Sequence, residues 1–289
     1  MLRTIAARAP SHDAGKDHED KRWERWNPGG DRLRSDCPAL PPGVRSMGSR
    51  SQGAPPGIVP APAVVSAWRP GKRSDGLLAG EDDCCVAWAT VGGGERDGLN
   101  VALNEATWAG IGVDAAGRRA RLLLDVLSLP ADGAVAASRP VAVTVNRVSR
   151  IAASLRLGWW DDTAADVIPL ELGDLDAIVR SFGGCPVYGW EFIDPPEESW
   201  SHWRDRLSVD ARLDQEESPH VIDLFQEGGS AQPRHLDLRI WFAQIRITTH
   251  DDHDIPLHEF IASGARWWDG LHSGDPRTSG TGIFPLRGD

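Results

Sequence analysis

Within residues 141–148 (VAVTVNRV), Val141, Val143 and Val145 recur at every second position, the side-chain period of a β-strand. Residues 118–129 (RRARLLLDVLSL) are apolar on both parities, which predicts a strand covered on both faces. Further strands are expected at 106–113, 150–157, 166–172, 186–193 and 219–226, set off by clusters such as residues 130–133 and Pro195-Pro196. In 235–249 the apolar phase runs through Leu236, Leu238, Ile240 and Phe242 and then shifts to Ile245 and Ile247. A flat strand cannot change phase, so the pattern asks for a bulge or tight turn at Ala243-Gln244.

Helical spacing interrupts the strands. Leu175, Ile178, Val179 and Phe182 fall at i, i+3, i+4 and i+7, with Asp174 placed as N-cap and Gly183 as the stop, predicting a helix over 174–182. Trp200, Trp203 and Leu207 form one face of an expected helix at 197–207, and Pro256 opens another over 256–271. The expected class is α+β, a predominantly antiparallel sheet or sandwich with about three helices. No repeat period is present, which argues against a solenoid or propeller.

Upstream the pattern fades. Residues 1–72 show Pro41-Pro42, Pro55-Pro56, scattered charge and no apolar periodicity. The expected organisation is a disordered or mis-assigned leader over 1–84 and one acidic α+β domain over 85–289. Lys16, Lys21 and Lys72 are the only lysines, and Ala, Gly and Arg are abundant, the usage of a high-GC bacterial genome. In such a genome a reading frame can run open upstream of its start, so a start at Met47 or near Val64 is an alternative to a genuine disordered tail.

Charge changes the picture most. Residues 1–80 hold 13 Lys or Arg against 8 Asp or Glu, a net of +5, whereas the remainder holds 18 against 34, a net of −16. An acidic domain repels phosphate backbones, which argues against nucleic acid and favours a basic protein partner. No window approaches the roughly 18 to 20 apolar residues of a membrane span, and the N-terminus lacks an apolar signal region, so a cytoplasmic location without membrane association is expected. Cys37, Cys84, Cys85 and Cys185 show no paired metal spacing and read as reduced thiols. Oligomeric state is not legible.

Recognisable chemistry is sparse. There is no phosphate loop, nucleophile elbow, His-Glu-x-x-His or dinucleotide fingerprint, and no cofactor is called for. Gly92-Gly93-Gly94 reads as a loop without the following helix that phosphate binding needs. Whether the chain is an enzyme stays open.

Three groups carry candidate chemistry. His250, Asp252 and His253, with His258 beyond, supply nitrogen and oxygen donors suited to Zn²⁺, the basis of an alternative reading as a metal-dependent hydrolase; a solvated turn before the next helix explains the same residues. The chain has 13 Trp, and in Trp159-Trp160 strand alternation would bury one ring and expose the other beside Asp161 and Asp162, an arrangement able to anchor a protein partner. Glu191, Asp223 and Asp237 could make a two-carboxylate hydrolase, but alternation with apolar neighbours assigns them to the wet face of their strands.

The segment 104–157, from NEATWAGIGVD through RRARLLLDVLSL to VAVTVNRVSRIAASL, resembles small β-rich actinobacterial proteins without an assigned function and is similar to immunity proteins of polymorphic toxin systems. The likeness lies in strand patterning and brings no site residue with it. Together these features point to a cytoplasmic acidic binding or interaction protein, and the resemblance implies an immunity-like one.

Overall fold

Alternating apolar residues fold here into two five-stranded sheets, both wholly antiparallel in their pairings. The computed structural model describes residues 88–135, 139–228 and 232–280. The first sheet has the order β1 (Thr107–Asp114), β2 (Arg119–Asp125), β3 (Pro140–Asn146), β9 (Gln244–Thr249), β10 (Asp254–Ile255). The second runs β5 (Asp166–Ile168), β4 (Arg150–Leu157), β8 (Arg234–Phe242), β7 (His220–Gly228), with β6 (Val209–Arg212) also paired to β4. Leu122, Val143 and Ile247 of one sheet and Ile151, Leu224 and Leu238 of the other share one buried cluster, the core of a sandwich. The expected α+β class with mostly antiparallel sheet is the observed one.

The phase shift near residue 243 has a simple cause. β8 and β9 belong to different sheets, and the chain passes between them at Ala243. β3 and β4 change sheets at the same corner, where Ala243 N donates to Asn146 O at 3.1 Å and Ser149 N to Trp241 O at 3.0 Å. Arg147 turns that corner in the left-handed region, with φ of 54°.

Four helices accompany the sheets in the described residues: α1 (Gly93–Leu103), α2 (Leu175–Ser181), α3 (Glu197–Ser201) and α4 (Leu257–Ser273). The expected helix at 174–182 is α2, and that at 256–271 is α4. The expected 197–207 helix shortens to α3, after which turns carry Trp203 and Leu207 onto the same cluster as Trp200. α1 corrects the loop reading of Gly92-Gly93-Gly94: the glycines open a helix whose Leu99, Ala102 and Leu103 are buried at i, i+3 and i+4. Its interior Gly98 is explained by α4, since a Cβ there would sit 2.4 Å from Ile261 Cγ2. Gly264 of α4 makes the reciprocal approach, with a Cβ meeting Ala102 Cα at 2.6 Å.

Other expectations need correction. β2 alternates buried and half-buried residues, because only one of its faces meets the sandwich core. The strand expected at 166–172 stops at Ile168, where Pro169 removes a donor. Residues 186–193 form only isolated bridges, because Gly189 adopts φ of 140° and bends the chain. Cys185 is buried and disulfide-bonded, so it is not a reduced thiol; such pairing depends on through-space proximity that spacing does not reveal. Cys37, Cys84, Cys85 and the expected leader over 1–84 lie outside the described residues.

Candidate functional site

The second sheet has an outer face built by the side chains that do not enter the core. The register sets them in rows across β4, β8 and β7: Ala152, Arg239, Asp223; then Ser154, Asp237, Phe225; then Arg156, His235, Glu227. Alternation correctly makes this face polar. It does not make it wet, because the chain from 185 to 208 folds back over it.

That cover is held at several points. Tyr188 N donates to Phe225 O at 3.0 Å, Asp223 N to Phe192 O at 2.8 Å and Asp194 N to Val221 O at 2.9 Å, so the segment satisfies the outer edge of β7 without becoming a regular strand. Asn100 of α1 accepts from Phe192 N and Ile193 N at 2.9 and 2.8 Å. Farther on, Trp200 and Trp203 pack edge to face at 4.5 Å, and Trp200 meets Trp241 of β8 at 5.3 Å. Ser154 Oγ donates to Arg206 O at 2.5 Å, and Ser208 N to Ala153 O at 2.8 Å.

Beneath the cover lie two ion pairs whose arginines are buried and whose aspartates, Asp223 and Asp237, keep 17% and 15% of their side chains exposed. Arg239 grips Asp223 with two bonds, Nε to Oδ1 at 2.6 Å and Nη2 to Oδ2 at 2.7 Å, and also donates to Ser199 Oγ at 3.0 Å. Arg156 Nη2 donates to Asp237 Oδ2. Asp237 Oδ1 has no hydrogen-bond partner among the described residues. Burial pushes the Asp237 carboxyl up to about 6, against the pull of Arg156 and with a further push from Asp223. Burial also raises Asp223, while Arg239 and Ser199 draw it back. In the next row burial lowers His235 to about 4, with Arg156 and Arg206 adding to the shift and Gly158 and Asp162 opposing it; the ring is therefore neutral, with Nδ1 donating to Gly158 O at 3.0 Å.

Both aspartates line a cavity of about 190 Å³ between the sheet and its cover. Aromatic walls come from Tyr188, Phe192, Trp203 and Phe225, with Glu191 exposed beside the cavity and Ser199 within it. The placement of Asp223 and Asp237 on a wet face is thus overturned by the folded-back segment, whereas Glu191, which is not on a strand, is exposed. The signal that could have found this cavity is the polar row Asp223, Asp237, Arg239 beside the tryptophan-rich stretch, but alternation does not reveal what covers a face. A larger depression of about 750 Å³ at residues 212–216 is formed by one stretch of chain and brings no separate elements together.

Trp159 and Trp160 lie in a turn after β4 rather than on a strand. Trp159 is half-buried and Trp160 is 47% exposed, so one ring of the pair is more open, though not by strand alternation. Asp162 Oδ1 accepts from Ala164 N at 2.9 Å, and Asp161 is exposed. Trp160 N donates to Glu227 Oε1 at 3.1 Å. Glu227 lies two residues beyond Phe225, the anchor of the 188–191 loop, so Trp160 and the 43% exposed Trp190 occupy the same end of β7. The charge there is negative: after burial itself, Glu105 and Glu227 raise the Tyr188 phenol.

His250, Asp252 and His253 lie in the turn between β9 and β10. Asp252 adopts φ of 62° and pairs with Arg121 at 2.7 Å, and the neighbouring Asp254 pairs with Arg246 at 2.5 Å. Among the described residues no group of three or more His, Cys, Asp or Glu side chains converges to hold a metal ion. Nor is any described helix long and apolar enough to cross a membrane.

The chain matches no protein-family model, no curated protein and no solved structure. The functional reading therefore stands on the geometry.

Proposed function

We propose that the domain is an acidic binding protein that docks a basic protein surface through the face bearing Trp160, Asp161, Asp162 and Trp190. The observation that carries this reading is the pair of exposed large aromatics at one end of β7, set among Glu227, Glu191 and the two aspartates. Exposed indoles supply apolar anchoring area, and the carboxylates orient and accelerate a cationic partner. Under this reading the resemblance to immunity proteins acquires a partner of stated chemistry. A cytoplasmic site of action belongs to the same proposal. The metal-dependent hydrolase reading has less support, because Asp252 and Asp254 are engaged by arginines.

Affinity capture with the full chain, run at low and high salt with the retained proteins identified, tests the proposal. A basic protein should be retained at low salt, released as screening rises, and lost with Trp160→Ala or with Asp161→Asn plus Asp162→Asn. Retention indifferent to salt and to these substitutions, or no basic protein retained, rejects it.

A further inference from the structure

The cavity under the cover segment opens beside the docking face, because Trp190 of that face lies between Gly189 and Glu191 of the cavity wall. Three carboxylates line it, and no cationic side chain does. Arg239 balances Asp223, Arg156 balances Asp237, and Glu191 makes no ion pair among the described residues. Among the lining side chains and these two arginines one negative charge is left over, and Glu197, 3.8 Å from Arg239, adds to the negative side. The floor also offers one open acceptor, Asp237 Oδ1, whereas both oxygens of Asp223 are taken by Arg239.

We propose that this cavity receives the ammonium head of a lysine side chain of the basic partner, an assignment that rests on the reading of the neighbouring face as a docking surface. A cation is favoured over a neutral polar group because it balances the remaining carboxylate, and because Tyr188, Phe192, Trp203 and Phe225 offer aromatic surface to its head and methylene stem. An ammonium is favoured over a guanidinium because the planar fork of arginine needs two acceptor oxygens side by side, whereas a point charge is served by one. Size agrees: about 190 Å³ is below the roughly 300–1,000 Å³ of pockets for drug-sized ligands and suits the end of a single side chain.

The test titrates the full chain with Nα-acetyl-lysine methylamide, its Nε-acetylated form and the arginine counterpart, followed by saturation-transfer NMR. The lysine probe should bind with a Kd on the order of a millimolar, as expected for so few atoms. Its Nε-acetylated form should show no binding, and the arginine probe should bind more weakly. Asp237→Asn should weaken the lysine probe about tenfold or more, equivalent to one lost charge-assisted contact. Because that variant also disturbs the Arg156 pair, Glu191→Gln at the exposed wall provides a second reading and should weaken binding without changing the unfolding midpoint. Equal binding of the acetylated probe, or unchanged affinity in Glu191→Gln, overturns the lysine assignment. If a basic protein is still captured through Trp160 in that case, the docking face survives and only the cavity assignment falls. If the lysine probe behaves as expected while no basic protein is captured, the docking reading falls, and with it the assignment of the lysine to a protein partner.

Discussion

The outer faces of the two sheets carry the same chemistry in different surroundings. On the first sheet, Arg121 pairs with Asp252 and Arg246 with Asp254, with side chains 34%, 66%, 26% and 49% exposed in that order. On the second, Arg239 pairs with Asp223 and Arg156 with Asp237, and the four side chains are 2%, 17%, 8% and 15% exposed. Asp223, Asp237 and the four arginines alternate with apolar strand residues, whereas Asp254 opens β10 and Asp252 lies in the turn before it. The difference is Trp200, Trp203 and the loop before them, which close over the ion pairs of one face, whereas those of the other keep between 26% and 66% of each side chain exposed. Strand period therefore reports the polarity of a face, while the strength of its ion pairs depends on a segment elsewhere in the chain.

The largest test of this contrast is removal of one partner. Asp223→Ala leaves Arg239 buried without its bidentate acceptor and should lower stability by about 3–5 kcal/mol in urea unfolding. A loss below about 1 kcal/mol would mean that water reaches this face freely.

Next in size is the pH response of the covered face. Asp237, raised to about 6, holds a proton in the folded chain that the unfolded chain releases above about pH 4, so its contribution to stability falls as pH rises from about 4 to 6. His235, lowered to about 4, is neutral when folded but takes up a proton when unfolded below about 6.5, so its contribution rises with pH across nearly the same window. The two slopes oppose each other, and the native chain should show little net dependence from this pair. Asp237→Asn should expose a loss of stability on acidification, and His235→Gln a gain, each up to about 3 kcal/mol across the window. Unfolding midpoints at pH 4.5 and 7 decide it; parallel profiles for both variants would contradict the burial of the pair.

The smallest effect belongs to the open face. Asp254→Ala should change stability by no more than about 1 kcal/mol, and the change should shrink further in salt. An effect as large as that of Asp223→Ala would erase the distinction between the faces.

Much of the fold was legible because its signals are local. The strands at 141–148 and 150–157, the α2 and α4 helices and the break at Ala243 follow from periods and phase shifts that neighbouring residues express among themselves. α1 was missed: Leu99, Ala102 and Leu103 carry helical spacing, but the glycines in front of it and Gly98 within it read as loop. Those glycines make sense only once Ile261 of α4 is seen to approach Gly98. The candidate site was half-legible: Trp160, Asp161 and Asp162 could be singled out as an aromatic beside acids, whereas Trp190 joins them only through bonds to β7.

By itself the amino-acid sequence determined the antiparallel α+β class, the acidic character of the chain after residue 80 and the polar outer face of β7 and β8, since composition and period are properties of the chain alone. Only the tertiary structure decided that Asp223 and Asp237 are largely covered, that His235 is neutral and that three carboxylates share one cavity. Those properties depend on solvent exclusion, and water was excluded here by residues 185–208, whose position over the sheet is set by bonds to Asn100, Phe225 and Val221 far away in the chain.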